Sequence, residues 1–195
     1  RLLSGLALEC AASRASSAGD FALSSLSSLR LARLALAGGQ RDLLAPGQLA
    51  AVAQSALAAV RTADAIDDSA MRAEVIGRLA DTALDSGSRD RAALVAAVAA
   101  MRRAGGDEPG VAAHAAALDA RLALLDGDRT TAAALAQQAV FLEAQRPMAW
   151  RLPDWLLLLA DADPARRGEH VQAAYQALET VRPFLPAEDA LTRES

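Results

Sequence analysis

The chain has 195 residues, of which 51 are Ala and 31 are Leu, against 17 Val, Ile and Thr together and six aromatics. Sheets draw on β-branched and aromatic side chains, whereas Ala and Leu head the helix scale, so sandwiches, barrels and doubly wound sheets are excluded and an all-α protein is predicted. Net charge is −4, Lys is absent, and the twenty arginines form no basic stripe, which argues against nucleic acid as a partner.

Apolar residues make up 53% of the chain, enough for a continuous core, and a single helical domain over 1–195 is expected. No apolar run approaches the roughly 18 residues of a membrane span. The opening ten residues look superficially like a signal peptide ending in a lipid-attachment cysteine, but Glu9 directly before Cys10 contradicts both readings. A start without Met fits a piece of a longer polypeptide. With one Cys there is no internal disulfide, and a cytoplasmic location is expected.

In chain order, nine helices are predicted: 2–17, 20–37, 47–62, 68–85, 88–104, 109–125, 128–145, 148–162 and 165–182. Apolar stripes at i, i+3, i+4, i+7 carry them. The first clear ones are Leu49, Val52, Ala56 and Val60, then Met71, Val75, Leu79 and Ala83, then Leu94, Val98 and Met101. Val111, Ala115, Leu118, Leu122 and Leu125 follow, then Leu135, Ala139 and Leu142, and finally Val171, Ala174, Leu178, Val181 and Leu185. Punctuation agrees. Gly38-Gly39 and Gly105-Gly106 suit left-handed helix ends. Asp20, Ser88 and Asp128 suit N-caps, and Pro46 and Pro109 suit first turns. Short connections make neighbouring helices antiparallel hairpins.

Gly19-Asp20-Phe21, Gly87-Ser88-Arg89 and Gly127-Asp128-Arg129 each fall at a predicted hairpin, at offsets of 68 and 40 residues. A tetratricopeptide unit is about 34 residues long, so the first offset is two units and the second is one unit with an insertion. Small residues follow at Ala132, Ala136 and Ala139, and at the same distance from Gly87 at Ala92, Ala96 and Ala99. This resembles the second helix of tetratricopeptide repeats. The large first-helix residues of that family are replaced by Ala116, Asp119, Ala120 and Ala123.

The stretch from Ala173-Ala174-Tyr175-Gln176-Ala177-Leu178-Glu179 through Thr180-Val181-Arg182-Pro183-Phe184-Leu185-Pro186, with Asp189, Leu191-Thr192, Glu194 and Ser195, is more distinctive. It resembles the last tetratricopeptide-like unit of bacterial CHAT-domain proteins, in which a helical array precedes a caspase-like peptidase domain. The resemblance implies a right-handed superhelix of helical hairpins serving as a recognition or scaffolding region, with any peptidase beyond Ser195. A similar array occurs in large bacterial transcription regulators of the maltose-regulon type, which keeps an effector-sensing alternative open.

Chemistry-bearing residues are few. Cys10 has no adjacent His, and His114 and His170 lack an i, i+4 partner, so neither a nucleophile–base pair nor a zinc site is expected. Without Lys or a glycine-rich stretch, a phosphate-cradling loop is excluded too. Asp163 is expected to cap the next helix rather than to join Asp161 and Asp154 around a cation. The serines from Ser13 to Ser28 are read as close helix contacts. Trp150 and Trp155 bracket Pro153, which should open a helix; the pair is placed in the core, with a partner hot spot as the alternative.

Counting back from the hairpins, tetratricopeptide geometry implies that Glu9, Ser13, Glu74, Asp81, Asp85, His114 and Arg121 face a concave groove. The expectation is a non-catalytic module without cofactor or metal, binding a protein or peptide of some positive charge. Neither membrane nor nucleic acid is an expected partner, and the end helices could pair two copies.

Overall fold

The computed structural model describes residues 46–184. Every regular element among them is helical: seven α-helices joined by short turns, two of them 3-10, with a third 3-10 turn after the last helix. No described helix is long and apolar enough to cross a membrane. The two helices predicted before residue 38, Cys10, the serine cluster, and the groove candidates Glu9 and Ser13 lie outside the described residues. So does everything after Phe184. The chain divides into two compact units, Arg1–Gly106 and Asp107–Ser195.

In the first unit, α1 spans Pro46–Val60, α2 spans Ser69–Asp85 and α3 spans Arg91–Gly105. Pro46 stands at the head of α1, where its missing N–H costs nothing. Asp68 caps α2 by accepting the Met71 N–H at 2.7 Å, and Arg72 Nε donates to the Ile66 carbonyl at 2.8 Å. Together they fix the angle at which the chain enters α2. Each helix touches the other two. Val75, Ile76, Leu79 and Ala83 of α2 meet a core to which α3 contributes Leu94, Val98 and Met101. The predicted stripes of α2 and α3 hold, except that Met71 is 48% exposed at the start of its helix.

α2 ends on Gly87, whose φ of +82° is open to glycine and costly for any other residue. The Gly87 N–H returns to the Leu84 carbonyl and the Ser88 N–H to the Ala83 carbonyl, both at 2.9 Å. The next helix does not start at Ser88. Ser88 Oγ accepts the Asp90 N–H at 3.3 Å, and Asp90 is the true cap, accepting from Ala93 N–H at 3.1 Å. Two extra residues thus separate the glycine from the cap.

The second unit holds α4 (Pro109–Leu125), α5 (Arg129–Ala144), α6 (Leu152–Ala162) and α7 (Arg167–Val181). α4 ends as α2 does: Gly127 has a φ of +80°, its N–H returns to Leu124, and the Asp128 N–H returns to Ala123. Here Asp128 itself caps α5, accepting from both the N–H and the hydroxyl of Thr131.

The core of this unit is built in tiers. Ala116, Ala117, Ala139 and Trp155 form one; Ala120, Ala136 and Leu159 the next; Ala123, Ala132 and Ala162 the third. Residue numbers rise on α4 and α6 and fall on α5 through these tiers, so α5 runs antiparallel to both neighbours. Alanines on α4 and α5 let those two backbones approach closely, and the bulk is supplied from α6 by Trp155 and Leu159. Burying each of those large side chains is worth about 1.5–3 kcal/mol. α6 then forms a hairpin with α7.

One predicted correspondence fails. Placing Ala92, Ala96 and Ala99 opposite Ala132, Ala136 and Ala139 assumed equal distances from the hairpin glycines. In the structure Ala92 and Ala96 are exposed and Ala99 is half-buried. Counted from the caps Asp90 and Asp128, the equivalents of the three alanines are Leu94, Val98 and Met101, and all six residues are buried. The two additional loop residues turn the helix by about 200° relative to the glycine, so the cap carries the register.

Candidate functional site

α2 offers the first candidate surface. Eight of its seventeen residues are buried, leaving a narrow stripe that carries Glu74, Arg78, Asp81 and Asp85. Their spacing puts them on one side of the helix. Glu74 and Asp85 are exposed and Asp81 is half-buried. Glu74 Oε1 accepts from Arg78 Nε at 2.7 Å, an i, i+4 pair that holds both side chains along the helix. The stripe itself carries three carboxylates and one guanidinium.

His114 and Arg121, the groove candidates on α4, are placed differently. Arg121 is half-buried. His114 is 2% exposed, and its ring stacks on Trp155 with centroids 5.6 Å apart and planes 29° off parallel. It presents no surface to a partner. Ala113, Ala115, Ala116 and Ala117 around it are all buried, so this stretch of α4 is enclosed and its histidine turns into the core.

Trp155 therefore belongs to the core, and Trp150 is half-buried nearby in sequence. α6 begins at Leu152 with Pro153 in its first turn, so the proline opens the helix without kinking it. The Arg151 guanidinium stands 5.6 Å from the Trp155 ring centroid, a cation–π contact. The indole N–H of Trp155 is buried with no partner.

A buried ionic clamp that periodicity alone did not single out lies beside this aromatic stack. Glu143 has no exposed surface. Its carboxylate accepts from Arg146 Nη1 at 3.1 and 3.2 Å and from the Arg151 backbone N–H at 3.1 Å. Arg146 in turn lies against the start of α4. A Cβ added to Gly110 would sit 2.8 Å from the Arg146 Cζ, so a larger residue there would push the guanidinium aside. The α5–α6 connection is thereby tied to the head of α4. The spacing of Ala132, Ala136, Ala139 and Glu143 is the signal that could have revealed it, because Glu143 continues the seam. Enclosed and already satisfied, this carboxylate holds the fold together and has no opening to a substrate.

Asp163 does not cap a helix with its side chain. Its carboxylate meets His170 Nε2 at 3.3 Å and accepts from Arg166 Nε at 3.2 Å. The His170 contact, followed by Arg166, holds the Asp163 carboxyl below the usual aspartate range against a smaller opposing effect of burial. Asp128 is lowered as well, chiefly by the Thr131 hydroxyl and then by the Thr131 N–H. Among the described residues no three His, Cys, Asp or Glu side chains gather in a way that could hold a metal ion.

No protein-family model, curated protein or solved structure matches this chain.

Proposed function

We propose that the chain is a non-catalytic protein-interaction module, a tetratricopeptide-like array of helical hairpins that binds a positively charged segment of a partner. The observation that carries this reading is the narrow acidic stripe of Glu74, Asp81 and Asp85 on a helix otherwise enclosed by its neighbours. A first helix of a stacked hairpin repeat has this character, being packed on its sides and open along one line. The two matched hairpins and the alanine tiers support a repeat, in which stability comes from each unit's nearest neighbours. The resemblance of 173–186 to the repeat that precedes caspase-like domains supports a place in a larger scaffold.

Fluorescence anisotropy with a labelled Arg-rich peptide of about 15 residues tests the reading. Affinity should fall at least tenfold in Asp81→Arg/Asp85→Arg, and should fall in the parent as salt rises. Equal affinity in the two proteins, with helical circular dichroism intact, defeats it. An effector-sensing role is the second reading, and a cleft in the first unit favours it.

A further inference from the structure

α2 is joined to α1 and to α3 by short connections and packs on both, so α1 and α3 run the same way, and an open-sided cleft lies between them. Its walls are two stripes of helical spacing, Ala50, Ala53 and Leu57 on α1 and Ala93, Ala96 and Ala100 on α3. Each stripe runs on into an arginine at the same end: Arg61 follows Leu57 by one turn, and Arg103 follows Ala100. From Ala93 to Arg103 the cleft is about 15 Å long, nearly three helical turns. Open along its length, this trough suits a helix better than a compact effector. The second unit shows what such walls receive: there the alanines of α4 and α5 are filled by Trp155 and Leu159 of a third helix, α6. In the first unit Ala50 and Ala96 are exposed.

The two ends of the trough differ in charge. Arg61 and Arg103 stand at one, bordered by a single carboxylate, Asp64, and neither guanidinium is engaged by a described residue. Arg89 and Asp90 stand at the other; Asp90 caps α3 and keeps its charge, so that end is balanced. Ser86 lines the balanced end, is 6% exposed, and its Oγ is buried with no hydrogen-bond partner. Buried hydroxyls are nearly always paired, so this one marks a place for an acceptor. A helix laid antiparallel to α1 and α3 meets both ends. Its first turn, where acidic residues are favoured, falls at Arg61 and Arg103. Its last turn, whose carbonyls lack partners within the helix, falls at Ser86 and Arg89.

We propose that the α1–α3 trough docks an amphipathic helix of a partner protein, antiparallel to both walls, with large aliphatic side chains between the alanines and acidic residues in its first turn. This surface is separate from the α2 stripe, takes the opposite charge, and stands or falls independently of it.

Fluorescence anisotropy of the 195-residue chain with a labelled, stapled helical peptide of about 16 residues tests it. The peptide carries glutamates in its first turn and leucines at i, i+3, i+4 and i+7. Saturable binding is expected, at least tenfold tighter than for the same peptide with its leucines scrambled or its glutamates moved to the last turn. Ala96→Trp, at an exposed wall position, should abolish it with the melt intact. Arg61→Glu/Arg103→Glu should weaken it at least tenfold and should gain affinity for a peptide whose first turn carries arginines. Asp81→Asn/Asp85→Asn should leave it unchanged, which separates this surface from the stripe on α2. No saturable binding overturns the proposal. So do indifference to the order of the leucines or the place of the glutamates, a charge-reversed variant that keeps the parent's preference, and binding that follows the α2 carboxylates. Sedimentation in which the chain self-associates and Ala96→Trp makes it monomeric assigns the trough to a second copy, and overturns it too.

Discussion

The hairpins α2–α3 and α4–α5 solve one problem with different parts. Both first helices stop on a glycine with φ near +80°, and both stops close with the same pair of returning N–H bonds. They differ in the loop, which carries Ser88 and Arg89 ahead of the cap in one and nothing ahead of Asp128 in the other. They differ also in the seam. Leu94, Val98 and Met101 fill it in α3, whereas Ala132, Ala136 and Ala139 occupy it in α5. Loop length is free because the cap, not the glycine, fixes which face of the second helix turns inward. Side-chain size is free because bulk can come from elsewhere, in the second unit from Trp155 and Leu159 of α6.

The strongest way to break this comparison is to move the register. Two alanines inserted between Thr131 and Ala132 rotate the α5 seam by about 200° away from α4, and the second unit should lose its cooperative melt. The same length inserted as Ser-Arg between Gly127 and Asp128 only reproduces the longer loop and should cost about 1 kcal/mol or less. Thermal melts followed by circular dichroism distinguish the two; similar melts would mean that the cap does not carry the register.

Exchanging seam sizes comes next. Leu94→Ala opens a cavity in the first hairpin and should cost about 2–5 kcal/mol. Ala136→Leu overfills the second and should cost about 1–3 kcal/mol by urea titration. A neutral Ala136→Leu would show that the α4–α5 approach is not close-packed.

Gly87→Ala and Gly127→Ala should cost equal amounts, about 1–2 kcal/mol each. No atom lies within 4 Å of an added Cβ at either site, so only the backbone conformation is charged. Unequal losses would mean that the two stops are not equivalent.

The smallest effect is at the caps. The Asp128 carboxyl is lowered in the folded state, so its contribution is full above the ordinary aspartate value of about 3.9 and fades as pH falls through the lower folded value. Asp128→Ala should therefore lower the melting temperature at pH 7 and change it little once pH is well below the folded value. Asp163→Asn should show the same sign of pH dependence, since its carboxyl is lowered too. A melting difference that persists unchanged into strong acid would rule out the carboxylate as the source.

Much of this was legible in the residues. Of the predicted helices that fall within the described part, all seven exist, and Pro46, Pro109 and Asp128 stand where their chemistry placed them. Leu94, Val98 and Met101 were read as the inward stripe of their helix and are buried. What failed was the choice between two equally regular sets of positions on α3, because Ala92, Ala96 and Ala99 fit helical spacing as well as the true seam does. Aligning Asp90-Arg91 with Asp128-Arg129, rather than glycine with glycine, would have given the register. Of the groove candidates, Glu74, Asp81 and Asp85 lie on the least buried line of α2, while His114 lies in the core. A histidine among alanines looks like an exposed position until a neighbouring helix supplies the tryptophan that covers it.

The sequence by itself determined the class of the protein and the positions of its helices, because both follow from backbone propensity, apolar period and the few residues that can start or stop a helix. The tertiary structure alone decided which faces turn inward in the alanine-rich helices. Alanine is nearly indifferent to its surroundings, so one buried methyl gives little reason to prefer one rotation over another. The preference came from the cap that sets the phase, from the large side chains that neighbouring helices bring, and from Glu143, whose buried carboxylate is stable only where Arg146 and the Arg151 N–H meet it.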